Sequence, residues 1–146
     1  MRSTLAVIHL FVLAFAQFSE PVSFDGIYSN ASTPMSRLAC SDSLNPLGFT
    51  TLSSLPSFPY IGGASFVAAN GSGSCGTCWE LFYFGRNGSG SSNGTTRSIS
   101  VLAIDYAKDG FNIAQEAMDA LTGGQARSLG IVNVTAVEVD DSACGL

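Results

Sequence analysis

Asp105 closes a nearly continuous apolar run over residues 99–104. A carboxyl group at the end of a covered strand suits acid catalysis, because burial raises its pKa and keeps the proton on. The same carboxylate can instead accept backbone N–H groups in the turn that follows the strand. Glycoside hydrolysis needs a second carboxyl group, about 5–5.5 Å away for retention or about 6.5–9.5 Å for inversion. Asp109, Glu116 and Asp119 fall in or beside an amphipathic helix pattern, Glu80 falls in a strand pattern, and Asp140-Asp141 form a terminal pair. Asp25 and Asp42 remain free to complete a dyad, and no catalytic residue is assigned. Binding a sugar without cleaving it asks for less: donors and acceptors that match hydroxyls, and rings that cover sugar faces. Asp25, Tyr28, Tyr60, Ser74, Asp105 and Asn112 supply these groups. Core packing with a satisfied hydroxyl is the competing reading of both tyrosines, and Trp79, beside Cys78, reads as core.

The other ionisable residues narrow the chemistry. Arg2, an apolar run of 11 residues from Leu5 to Phe15, and Ala14-Phe15-Ala16 have the pattern of a signal peptide over residues 1–16. The run is short against the roughly 20 residues that cross a bilayer, and no other segment is a candidate span. Cleavage before Gln17 removes His9, the only histidine. Histidine-activated nucleophiles, histidine-ligated metals and a histidine general base are thereby excluded, and no cofactor or metal is expected. Loss of Arg2 also takes the formal charge from −5 to −6, leaving Arg37, Arg86, Arg97, Lys108 and Arg127 as the strong cations. Nucleic acid and anionic lipid are poor partners for such a chain. Neutral polymers such as polysaccharides remain open.

Cys40, Cys75, Cys78 and Cys144 make an even set in an exported chain, which reads as two disulfides with three pairings open. A redox pair at Cys75 and Cys78 lacks a βαβ setting and the usual proline. A zinc site lacks a second close pair. Sequons stand at Asn30, Asn70, Asn87, Asn93 and Asn133, and some of these are expected to carry glycan. The glycan candidates are Asn30, Asn70, Asn87 and Asn93; Asn133, inside an apolar strand pattern, is not counted among them.

These groups must be positioned by short elements. Residues 22–28 read as an opening strand and 29–34 as a turn region. Residues 41–59, punctuated by prolines, read as an irregular connection with one helical turn near 50–55. Strands are predicted over 64–69, 78–84, 99–104 and 131–139. Residues 86–96 have no apolar side chain and read as a mobile surface loop. Ile113, Ala117, Met118 and Leu121 recur at helical spacing over 112–121, with Asn112 as N-cap, Gln115 three residues on, and Gly123-Gly124 as the stop. Many short strands with one helix predict a single domain over residues 17–146, an antiparallel or mixed β-barrel.

The motifs themselves carry a resemblance. Phe58-Pro59-Tyr60-Ile61-Gly62-Gly63, Ser74-Cys75-Gly76-Thr77-Cys78-Trp79, Val101-Leu102-Ala103-Ile104-Asp105, Gly110-Phe111-Asn112-Ile113-Ala114 and Ala120-Leu121-Thr122-Gly123-Gly124-Gln125-Ala126 run in order through the chain. Together the sequence resembles the cerato-platanin family from about Val22 to Cys144. The resemblance implies a six-stranded double-psi β-barrel related to the first domain of expansins, with disulfides Cys40–Cys75 and Cys78–Cys144. It implies secretion by a filamentous fungus and binding of chitin oligomers or cellulose without appreciable hydrolysis. It further implies self-assembly and perception by plants as an elicitor or phytotoxin, through a plant surface receptor. The resemblance implies, too, that Asp105 is the acid-like group that such barrels keep while losing the base. Two departures stand out: the glycine- and serine-rich stretch over 87–96, and Tyr106, where the family commonly has histidine. A non-catalytic wall-polysaccharide binder is the leading expectation. The alternative is a weak carboxylate-dependent glycan-cleaving enzyme using Asp105.

Overall fold

The computed structural model describes residues 16–71, 73–85 and 94–146. The expected leader, apart from its last residue, and the sequons at Asn87 and Asn93 lie outside the described residues.

Six strands, β1 (Gln17–Phe24), β2 (Ile61–Ala64), β3 (Cys78–Gly85), β4 (Thr95–Tyr106), β5 (Phe111–Ile113) and β6 (Val132–Val139), close into a barrel in the order β1-β5-β2-β4-β3-β6, with β6 returning to β1. Closure removes the sheet edges that would otherwise pair with other chains. The sheet is mixed, with β1/β5 and β2/β4 parallel and the other neighbours antiparallel. Alternation sorts the faces: on β6, Val132, Val134 and Ala136 are buried, while Asn133 and Thr135 are exposed. Val22, Leu81, Leu102, Ile104, Phe111 and Ile113 fill the interior with them. Helices α1 (Ser41–Leu44), α2 (Gln115–Thr122) and α3 (Ala126–Leu129) lie outside the strands, and α2 turns Ala117, Met118 and Leu121 inward.

Disulfides join Cys40 to Cys75 and Cys78 to Cys144, the pairing implied by the resemblance. The strands at 78–84, 99–104 and 131–139 are present; the second extends to Thr95–Tyr106 because its first residues pair with β3 as far as Gly85↔Thr95. Residues 95 and 96 are thus strand rather than loop. Three expectations need correction. The opening strand ends at Phe24, and the chain then turns at Asp25, whose Oδ1 accepts the Ile27 N–H at 2.9 Å. The second strand is Ile61–Ala64, not 64–69. Gly62 and Gly63 hide it from a propensity reading, but they are needed there: a Cβ on Gly62 would lie 2.4 Å from the Asn112 carbonyl oxygen. Asn112, finally, belongs to β5 and does not cap the helix. Ser29 takes over that role from outside, its Oγ accepting the Gln115 N–H at 3.1 Å and donating to Glu116 at 2.6 Å. At the other end of α2, Gly123 adopts φ 70°, as the glycine pair predicted.

Candidate functional site

The barrel register brings distant polar residues into one row. Asn112 of β5 pairs with Ser23 of β1 on one side and with Gly63 of β2 on the other, and Gly63 pairs with Asp105 of β4. Their neighbours Val22, Phe111, Ile113 and Ile104 point into the core, so Ser23, Asn112 and Asp105 lie on the outer face. Ser23 Oγ donates to Asn112 Oδ1 at 3.3 Å.

Tyr28 covers the glycine in this row. Its ring is buried, and its hydroxyl donates to Asp105 Oδ2 at 3.0 Å. A Cβ on Gly63 would stand 3.1 Å from that hydroxyl and 2.9 Å from the Tyr106 carbonyl oxygen. The missing side chain is therefore what lets Tyr28 reach Asp105. The other carboxylate oxygen, Oδ1, accepts the backbone N–H groups of Ala39 at 2.8 Å and Tyr106 at 2.9 Å. Three donors thus fix Asp105, two of them backbone groups. Burial first, then the Asp105 charge and hydrogen bond, and then the charge of Asp25 push the Tyr28 phenol well above its ordinary pKa, so it stays a donor.

The remaining expected site residues spread around this centre. Asp25 is exposed beside Tyr28, on which its charge acts. Asn112 lines a cavity of about 400 Å³ with Ser23, Tyr106 and Phe111. Ser74, at φ 52°, sits in the loop that the Cys40–Cys75 bridge ties next to Ala39, and its carbonyl oxygen accepts from Thr77 Oγ1 at 2.7 Å. Tyr60 is set apart. It precedes β2, three residues before Gly63, and lines a different cavity of about 610 Å³ with Pro56, Phe58 and Ile99. That cavity is the larger one, but the fixed carboxylate is not in its lining. Trp79 is core, stacked on Phe66 with ring centroids 4.5 Å apart. Asp42 is exposed in the first turn of α1. Among the described residues no group of three metal-ligating side chains comes together.

Sequence reasoning missed Ser23, Gly63 and the Ala39 N–H. Only Gly63 carried a signal, as the second glycine of the Tyr60-Ile61-Gly62-Gly63 motif.

A family model for cerato-platanin matches residues 20–146. The chain belongs to the cerato-platanin family. The cerato-platanin of Ceratocystis fimbriata f. sp. platani is 34% identical over 125 residues, covering 84% of this chain and 84% of that protein. Allergen Asp f 15 of Aspergillus fumigatus is 42% identical, covering 84% and 75% of the two chains. The heat-stable 19 kDa antigen of Coccidioides posadasii is 38% identical, covering 86% and 80%. The crystal structure of cerato-platanin 2 from M. perniciosa superposes with a TM-score of 0.79 at 40% identity, over 88% of this chain and all of the other. The solution structure of the fungal elicitor cerato-platanin gives 0.69 at 35% identity, over 85% and 95% of the two chains. As a cerato-platanin the protein is an expansin-like fungal protein, from a family of secreted and generally non-enzymatic members. Among its described residues no helix is long and apolar enough to cross a membrane.

Proposed function

We propose that this cerato-platanin is secreted after removal of residues 1–16 and binds cell-wall polysaccharide, chitin oligomers or cellulose, through the outer face of β5, β2 and β4 without hydrolysing it. The observation that carries the reading is the state of Asp105. Both of its oxygens are engaged, by Tyr28 and by two backbone N–H groups. A general acid must instead direct a proton at the leaving oxygen, with a second carboxyl group across the bond. Asp25, the carboxylate acting on Tyr28, has one oxygen committed to its own turn. A fixed, polar, partly exposed row of Ser23, Asn112 and Asp105 suits recognition: its acceptors are held in place before sugar hydroxyls arrive, which lowers the ordering cost of binding. Tyr106, exposed at the edge of the row, offers a ring for a sugar face. Asp25 and Tyr28 frame this surface, Ser74 stands in the loop tied next to Ala39, and Tyr60 offers a second, separate contact in the cavity it lines with Pro56 and Phe58. Perception by plant hosts as an elicitor, through a surface receptor, and self-assembly belong to the same reading by family membership.

The test is incubation of the 17–146 protein with insoluble chitin and with cellulose, beside Asp105→Asn. Protein lost from solution and soluble sugar released are measured in the same tubes. Adsorption with sugar at background supports the binder. Steady sugar release abolished by Asp105→Asn overturns it in favour of a carboxylate-dependent enzyme.

A further inference from the structure

Where β3 ends and β6 begins lies a second groove, which meets the cavity lined by Asn112 and Ser23 at Ile131. Phe84, Leu129 and Ile131 are 58%, 40% and 65% exposed. With Tyr83, Val132 and Asn133 they line a groove of about 420 Å³, with no charged side chain among its described lining residues. Exposed apolar surface gathered in one place calls for a cover.

We propose that Asn133 carries an N-linked glycan whose first sugar lies along the ring of Phe84 and covers this groove. Asn133-Val134-Thr135 is a sequon. On β6 the two-residue period puts Asn133 and Thr135 on the same outer face, both exposed, with Val134 buried between them. The acceptor amide and the hydroxyl that the sequon requires therefore both face solvent. The Asn133 side chain makes no hydrogen bond among the described residues, so its Nδ2 is free to be substituted. The antiparallel pairing Phe82↔Thr135, carried two residues along each strand, brings Phe84 level with Asn133. Cross-strand neighbours on one face are in side-chain reach. A sugar ring has an apolar C–H face and a polar rim, which matches a groove with an aromatic wall and one polar end. Tethering at Asn133 also keeps that sugar at high effective concentration over the ring.

The transfer balances with a lipid-linked oligosaccharide diphosphate as donor. A bond forms between Asn133 Nδ2 and C1 of the first sugar, and the C1–oxygen bond to the diphosphate breaks. The lipid diphosphate leaves with the electron pair, and the amide loses one proton.

The experiment uses protein secreted from a filamentous fungal host. Peptides spanning residue 133 are analysed by mass spectrometry before and after release by peptide N-glycosidase, which converts a glycosylated Asn133 to Asp. Occupancy that persists in Thr135→Ser and disappears in Thr135→Ala is expected; an unmodified Asn133 in the secreted wild-type protein overturns the proposal. The seat of the glycan is read separately, first on folded wild-type protein and then on Phe84→Ala. Enzymatic deglycosylation should raise binding of a fluorescent apolar dye several-fold, and Phe84→Ala should remove most of that rise. Dye binding that is unchanged by deglycosylation overturns the placement on Phe84.

Discussion

The Tyr28 hydroxyl donates to Asp105 Oδ2 across 77 positions of sequence, at 3.0 Å. The contact fastens the turn after β1 to the end of β4 on the outer face of the barrel. It holds because one partner is buried and the other is fixed by backbone donors. A hydrogen bond to a charged group in such a setting contributes about 1.5–3 kcal/mol.

Tyr28→Phe keeps the ring and removes that bond, so it should cost about 2 kcal/mol in denaturant unfolding. It should also change the alkaline limb of the stability profile. The folded-state pKa of Tyr28 is raised above the ordinary value near 10. Above about pH 10 the unfolded chain therefore releases this proton before the folded one does, and stability declines as pH rises. The wild-type protein should lose stability more steeply above pH 10 than Tyr28→Phe. Equal slopes would place the Tyr28 hydroxyl in solvent.

Gly63 should be as demanding as either partner. In Gly63→Ala the new Cβ meets the Tyr106 carbonyl oxygen at 2.9 Å and the Tyr28 hydroxyl at 3.1 Å. Neither backbone nor a buried phenol can move freely, so a loss of about 1–3 kcal/mol is expected from overpacking. Polysaccharide adsorption should fall with it, because Asp105 loses the donor on Oδ2. Gly26→Ala, with nothing within 4 Å of the added Cβ, is the control that should leave both unchanged. Equal behaviour of the two variants would mean that the Gly63 contact is not needed.

The barrel was legible where burial wrote a pattern: the β-branched and aromatic runs of β3, β4 and β6, and the helical period of α2. It was illegible where backbone approach replaced side-chain packing. β2 contains two glycines because Asn112 and Tyr106 press against it, and glycine pairs do not read as strand. β5 is three residues long, and its Ile113 also fits the period of the helix that follows, so the helix reading absorbed Asn112. Of the site, Asp105 was visible as a carboxylate at the end of an apolar run. Ser23 and the Ala39 N–H were not, since register and a disulfide, which local sequence does not encode, bring Ser23 against Asn112 and Ala39 against Asp105.

The two disulfides should separate stability from site integrity. They span 35 and 66 residues of sequence, so on the chain-entropy model each stabilises by about 4 kcal/mol. Cys40–Cys75 does more than this. It adjoins Ala39, the donor to Asp105 Oδ1, and holds the Ser74 loop nearby. Cys40→Ala/Cys75→Ala should lower both the denaturation midpoint and the adsorption of protein to chitin or cellulose. Cys78→Ala/Cys144→Ala should lower the midpoint by a similar amount while keeping adsorption, measured well below that midpoint. Parallel loss of adsorption in both variants would show that general loosening, and not the Ala39 contact, governs binding.

Trp79 gives an internal readout of the core, because it is the only tryptophan in the chain. Phe66 stacks on it with a 7° angle between ring planes, Phe18 and Phe111 meet it edge-on, and its Nε1–H donates to Thr77 Oγ1 at 2.9 Å. Phe66 comes from residues 65–69, a segment that looked like strand but is a turn, pinned where Ser65 N–H reaches the Gly110 carbonyl oxygen. Phe66→Ala should uncover one face of the indole, shift its emission to longer wavelength and cost about 3 kcal/mol. Phe18 is already 40% exposed, so Phe18→Ala should give a smaller shift and a smaller loss. If Phe18→Ala proved the more damaging, the first residues of β1 would be holding the indole in place, and the stack on Phe66 would be secondary.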